Sequence, residues 1–141
     1  MKILICVIWL MTVTGMEGYC RSVSDSLVVV FWNLENFFDH VDQGTGESDK
    51  EFSSYGSRHW SRKKFQTKCD AVAKSIMWMG DRYGRMPDLV GLAEIENKGV
   101  LTKLLRTTVL RKHDYGIVHN DSGDRRGIDV AILYRKSVMR L

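Results

Sequence analysis

Apolar and polar positions alternate with different periods along the chain, and the periods divide it into elements. Leu27 to Trp32 is an unbroken apolar run, rich in β-branched and aromatic side chains, which predicts a buried strand. From Ser61, a residue suited to capping a helix, Phe65, Cys69, Val72, Ala73, Ile76 and Gly80 recur at helical spacing. Arg62, Lys63, Lys64 and Lys68 lie largely off that stripe, so the segment reads as an amphipathic helix ending near Gly84, and Pro87 prevents its continuation. Asp88 to Ile95, with the apolar Leu89-Val90-Gly91-Leu92-Ala93, predicts a second buried strand. Asn97 then opens a shorter helix carrying Leu101, Leu104 and Leu105. Tyr115 to Val118 and Ile128 to Tyr134 read as two more strands, joined by the turn-rich segment from Asp121 to Gly127. Asp39 to Tyr55 is polar and contains Gly44, Gly46 and several acids, which predicts a long exposed loop of the kind that is often functional. The resulting order, β-α-β-α-β-β, is that of a mixed α/β layered domain.

The first twenty residues stand apart from this pattern. Lys2 supplies a positive start, Ile3 to Val13 is apolar except for Thr12, and small or polar residues follow at Thr14, Gly15 and Gly18. This is the layout of a signal peptide over residues 1–20, with the mature part beginning near Ser22. The apolar run is shorter than the roughly 20 residues that a membrane-spanning helix needs, so no stable span is expected. The expected location is therefore periplasmic or secreted. Cys20 sits where a bacterial lipoprotein carries its acylated cysteine, although Glu17-Gly18-Tyr19 is a poor approach to such a site. A lipid anchor at Cys20, on the outer membrane, is the alternative.

Composition adds limits. With 141 residues, 44% hydrophobic and 27% charged, the chain can bury one small core and is not of disordered type. Without residues 1–20 only Cys69 remains, on the apolar helix stripe, so no intrachain disulfide and no cysteine-type metal site is expected. The net charge of +4 favours an anionic partner without naming one. The basic run from Arg58 to Lys68, interleaved with Trp60 and Phe65, suits either a phosphate backbone or a solvated helix face.

Three polar clusters fall at strand ends, where α/β folds tend to place their sites. Asn33-Leu34-Glu35-Asn36 follows the first apolar run, and its amide and carboxylate could share a hard cation and a phosphate oxygen. Glu94 and Glu96 close the second strand, and alternation would send both to one face if the strand continues through them. A carboxylate at the end of an apolar run needs a partner, which a cation or a basic side chain could provide. The third cluster runs from His119-Asn120-Asp121-Ser122 to Arg126 and Asp129, gathering an imidazole, carboxylates and arginines around one turn. Arginine suits bidentate phosphate binding, so Arg126 is the candidate phosphate ligand, and His119 is a candidate catalytic group.

These clusters occur in an informative order. Val30-Phe31-Trp32-Asn33-Leu34-Glu35-Asn36-Phe37-Phe38-Asp39 resembles the opening strand motif of the endonuclease/exonuclease/phosphatase family. Pro87-Asp88-Leu89-Val90-Gly91-Leu92-Ala93-Glu94-Ile95-Glu96-Asn97 is similar to its second motif. Arg126-Gly127-Ile128-Asp129-Val130-Ala131-Ile132-Leu133-Tyr134 resembles the following strand, in the style of bacterial secreted members. The resemblance implies a four-layer α/β sandwich, two sheets face to face with helices outside. It also implies phosphate-ester hydrolysis with a divalent metal, usually Mg2+, with Mn2+ as a substitute. By the same resemblance Asn33 is the active-site asparagine, Glu94 is the metal-binding glutamate, and Glu35 falls where some members carry a further acid near the metal. Arg126 and His119 match no equally firm family position.

The sequence departs from the family pattern after Tyr134, where neither the later Asp-x-Asn pair nor the Ser/Asp-His pair follows before Leu141. The expectation is an incomplete domain over residues 22–141, holding only the N-terminal half, with one face of its sheet bare and little activity alone. The leading reading is an endonuclease-like metal-dependent phosphodiester hydrolase, with nucleic acid as the favoured phosphate-ester substrate. A phosphatase or phospholipid-headgroup phosphodiesterase of the same family is the first alternative, and a non-catalytic anion-binding module is the second.

Overall fold

Extended backbone begins at Val29 and continues to Phe37, so the first strand, β1, takes in the polar Asn33–Asn36 segment. The computed structural model describes residues 26–44 and 46–140; the signal-peptide reading of residues 1–20 and the lipid-anchor reading of Cys20 lie outside them. A short helix, α1 (Glu47–Glu51), precedes the long helix α2 (Arg62–Tyr83). Strand β2 (Leu89–Ile95) and helix α3 (Lys98–Thr107) follow. A 3-10 turn at Val109–Lys112 then leads into β3 (Tyr115–Asn120) and β4 (Asp129–Arg135). The helix ends are those the sequence signals. The Ser61 side chain accepts from Lys64 N–H, and the Asn97 side chain accepts from Val100 N–H. Gly84 closes α2 in the left-handed region at φ 71°, a conformation that costs glycine little.

The strands form one sheet in the order β1-β2-β4-β3. β1 and β2 are parallel, which requires a crossover, and α2 supplies it. β4 pairs antiparallel with both β2 and β3. Helices α2 and α3 cover one face. Phe65, Cys69, Val72, Ala73 and Ile76 of α2, with Val100, Leu101 and Leu104 of α3, pack on Leu34, Phe37, Val90, Leu92, Ala131 and Leu133 of the sheet. Of the four layers that the resemblance implies, the described residues build two, a sheet and its helical cover. Among them no helix is long and apolar enough to cross a membrane.

The structure corrects two readings. The Leu27–Trp32 run is not buried on both faces: Phe31 is 74% exposed and Val29 61%, with Val130 and Ile132 exposed beside them on β4. These side chains line the sheet face that no described element covers, and strand alternation puts their neighbours Val30 and Trp32 on the helical side. The loop expected over Asp39–Tyr55 is also less exposed than its polarity suggests. It contains α1, and Asp39, Asp49 and Ser53 are buried in it. Its acids are inside because they accept backbone N–H groups: Asp39 from Val41 at 2.7 Å and Asp49 from Gln43 at 2.7 Å.

Asp88, fully buried at the entrance to β2, ties the sheet's near end together. It accepts from Val28 N–H at 2.8 Å and from Arg85, and Arg135 stands 3.5 Å from its other oxygen. Arg135 N–H in turn donates to the Asp88 carbonyl at 3.0 Å. Removing the carboxylate strands a backbone donor and two guanidinium groups. We expect Asp88→Ala to lower stability by about 3 kcal/mol, the scale for breaking a buried charge network. Urea unfolding checks this, and a change within error would show that the network is dispensable.

Candidate functional site

At the far end of the sheet, β1 and β2 break register together. Their pairing is regular from Val29–Leu89 to Asn33–Ala93 and resumes only at Phe37–Ile95. The excess backbone is taken up at Glu35 (φ 53°), Asn36 (φ 62°) and Glu94 (φ 57°), all in the left-handed region. Each such residue without a glycine costs roughly 1–2 kcal/mol. The strain is held by cross-strand bonds to one carboxylate. Asn33 Nδ2 donates to Glu94 Oε1 at 3.1 Å, and Asn36 N–H donates to Glu94 Oε2 at 3.1 Å. Asn33 Oδ1 accepts from Glu35 N–H at 2.8 Å, so both ends of the amide are specified and its orientation is unambiguous.

Lys68 secures this turn from the helix side. Its ammonium donates to the Glu35 carbonyl at 2.7 Å and the Asn36 carbonyl at 3.2 Å, and lies over the rings of Phe37 and Trp60. Burial lowers the Lys68 pKa, while the charges of Glu35 and Glu94 oppose that shift. Residue order leaves the run that contains Lys68 open between a phosphate backbone and a solvated helix face, and neither describes this anchoring role. The position of Lys68 off the apolar stripe gave no sign that strand β1 bends back to meet it.

Glu94 is half-buried and forms no ion pair with any lysine, arginine or histidine among the described residues. Glu35 is exposed on the same turn and likewise forms none. Glu94 and Glu96 do not share a site. The bulge at Glu94 turns its side chain to Asn33, whereas Glu96 lies beyond the strand, buried behind it, so simple alternation fails here. Glu96 accepts from Asp39 N–H at 2.8 Å, Gln43 Nε2 at 3.1 Å and Asn97 Nδ2 at 2.9 Å. Lys103 pairs with Asp39 in the same cluster. Burial pushes the Glu96 carboxyl up to about 7, and the neighbouring Asp39 and Asp49 charges add to that rise.

The third cluster divides. Arg126 is exposed on the β3–β4 turn, where Asp124 holds it through Nε at 3.2 Å and Nη2 at 2.9 Å. That turn rests on α1: Glu47 N–H donates to the Arg125 carbonyl, Ser48 N–H to the Arg126 carbonyl, and Arg125 pairs with Glu47. Gly46 lies so close to Gly127 that an added Cβ would come within 2.3 Å of its nitrogen. Arg126 is near enough for the Glu94 charge to raise its pKa slightly, after the larger effects of Asp124. His119 is placed differently. It pairs with Ala131 in the ladder, on the helix-covered side, and its ring bonds to Asp129 at 2.9 Å. The structure thus gathers Asn33, Glu94 and Glu35 at one strand end, sets Arg126 at its margin, and keeps His119 on the other face.

A family profile with the description Endonuclease/Exonuclease/phosphatase family matches residues 28–141. No curated protein matches the chain, and no solved structure does.

The buried acids behind the strand end set a pH response. The Glu96 carboxyl holds its proton more tightly folded (about 7) than at its ordinary 4.5. Its contribution to stability is therefore complete below pH 4.5 and is lost as pH rises through 7. We expect the thermal midpoint to fall as pH rises from 4.5 to about 7 and to level off above that, with Glu96→Gln flattening the slope. Parallel slopes for the two proteins in a pH series of melts would refute the assignment.

Proposed function

This chain belongs to the endonuclease/exonuclease/phosphatase family, whose members are generally hydrolytic phosphoesterases, and from that premise we propose a divalent-metal-dependent, nuclease-like phosphodiester hydrolase. Members of the family usually use divalent metals. The donor chemistry at the strand end fits such an ion: carboxylate oxygens from Glu94 and Glu35, of the hard type that Mg2+ and Mn2+ prefer. The observation that carries the reading is the half-buried Glu94 carboxylate, bonded only to neutral donors and paired with no basic side chain among the described residues. In this reading Glu94 is the principal ligand and Glu35 an auxiliary one. A bound divalent cation would supply counter-charge to a phosphate oxygen.

The chain's own groups then bind and orient the phosphate. Asn33 spends one amide proton on Glu94 and keeps the other to donate to a phosphate oxygen. Its amide is already aligned, so no reorganisation is needed at that donor. Arg126, tethered by Asp124 but solvent-facing, offers its remaining N–H groups to the same anion. Lys68 holds the Glu35–Asn36 turn and leaves the Asn36 N–H on Glu94.

Nucleic acid is the substrate class the surface favours. Lys63 and Lys64 are exposed about one helical turn before Lys68 and line a shared groove with it, and Arg62 is exposed beside them. A phosphate backbone entering the site could pass along them. The signal-like sequence of residues 1–20 supports an exported enzyme.

Manganese binding to the full chain, followed by electron paramagnetic resonance, tests the central assignment. Glu94→Gln should weaken Mn2+ binding at least tenfold; equal affinity would sink the reading. Oligonucleotide binding tests the substrate class. Its dependence on log salt should flatten by about 0.9 for each phosphate contact removed with Lys63→Gln and Lys64→Gln.

A further inference from the structure

We propose that His119 and Asp121, with Asp129 orienting the imidazole from behind, form a second cation site, distinct from the Glu94 end, suited to a borderline metal such as Zn2+ or Co2+. One ligand atom from each of the three side chains lies within 4.8 Å of the others. The His119 side chain is only 6% exposed and makes a single ring hydrogen bond, through Nε2 to Asp129 Oδ2 at 2.9 Å. That bond makes Nε2 the protonated nitrogen and leaves Nδ1 with a lone pair. Among the described residues Nδ1 has no hydrogen-bond partner, yet it faces Asp121 Oδ1 at 3.8 Å.

A gap of 3.8 Å is too long for a hydrogen bond and close to the spacing of two ligands on one ion. Zinc bonds of about 2.0–2.2 Å put tetrahedral neighbours roughly 3.4 Å apart. The exposed Asp121 can close that difference by a rotamer adjustment, because its side chain is 91% exposed. Asp129 then plays the part of an orienting carboxylate behind the imidazole, the arrangement commonly found behind metal-bound histidine. Asp129 is itself fixed, since its other oxygen accepts from Ser122 N–H at 2.7 Å and Ser122 Oγ donates to the Ile128 carbonyl at 2.9 Å. Solvent completes the coordination on the open Asp121 side.

The two sites differ in chemistry. The Glu94 end offers oxygen alone, whereas this one offers an imidazole nitrogen and so selects against Mg2+ in favour of Zn2+ or Co2+. It also sits on the hairpin that carries Arg125 and Arg126, so an ion here fixes the residue that follows β3 to the end of that strand. Occupancy should slow amide exchange from Ser122 to Gly127.

Calorimetric titration of the full chain with Zn2+, and optical titration with Co2+, provide the test. The expected result is saturable binding, with no thiolate charge-transfer band from cobalt, weakened at least tenfold in Asp121→Asn and unchanged in Glu94→Gln. Asp121→Asn is the informative variant because its exposure makes misfolding improbable, and His119→Gln serves as a second probe. Wild-type affinity in Asp121→Asn overturns the proposal, as does a thiolate band, or loss of binding in Glu94→Gln alone.

Discussion

Where β1 and β2 lie side by side, their parallel ladder runs without interruption to Asn33–Ala93 and then slips before Phe37 meets Ile95. A slip in one strand of a pair would ordinarily relax into solvent. Here both strands deviate together, and the deviation is closed by bonds from Asn33 and Asn36 onto the single carboxylate of Glu94. The positive φ angles at Glu35, Asn36 and Glu94 are the conformational cost of that closure. The closure also decides the direction of everything downstream. It turns Glu94 onto Asn33 and Asn36, sends Glu96 behind the strand, and presents the Glu35 and Asn36 carbonyls to Lys68.

Behind this strand end the protein tolerates an unusual density of buried acid. Asp39, Asp49 and Glu96 are each at least 97% buried, and Lys103 pairs with one of them. Their carboxylates organise the loop between β1 and α2 by accepting backbone N–H groups, replacing the water that a true exposed loop would use. The loop in turn carries α1, and α1 supports the turn that bears Arg125 and Arg126. A chain of backbone bonds thus leads from the buried acids to the exposed guanidinium groups beside the site.

The charge pattern has a matching division of labour. Arg85 and Arg135 neutralise Asp88 at one end of the sheet and have a structural task. At the other end Glu94 lacks such a partner, and the basic groups nearby stay turned elsewhere: Lys68 to carbonyls and Arg126 to Asp124. Two carboxylates of similar sequence context, each closing or opening the same strand, therefore have opposite electrostatic fates. The difference lies in whether the surrounding chain brings a guanidinium within reach.

Much of this architecture is legible from residue order alone. The helix from Ser61 to Gly84, the strand opened by Asp88 and the helix opened by Asn97 follow from periodicity and capping, because those signals act over one or two turns of chain. The family match over residues 28–141 spans the motifs around Asn33, Glu94 and Arg126, and Asn33 and Glu94 do meet across paired strands. Other features depend on contacts that no local pattern records. Phe31 is exposed because its face of the sheet has no described cover, Glu94 parts from Glu96 because a bulge resets alternation, and Lys68 is anchored because β1 bends back towards α2. His119 leaves the company of Arg126 for the same kind of reason: strand pleating puts it on the face opposite Asn33. The sequence by itself determined the four strands in outline, the two longer helices, the family and the chemical types available at each strand end. Only the tertiary structure decided which of those groups share a site, since side-chain partners 58 to 61 residues apart are chosen by strand register and bulges rather than by neighbouring residues.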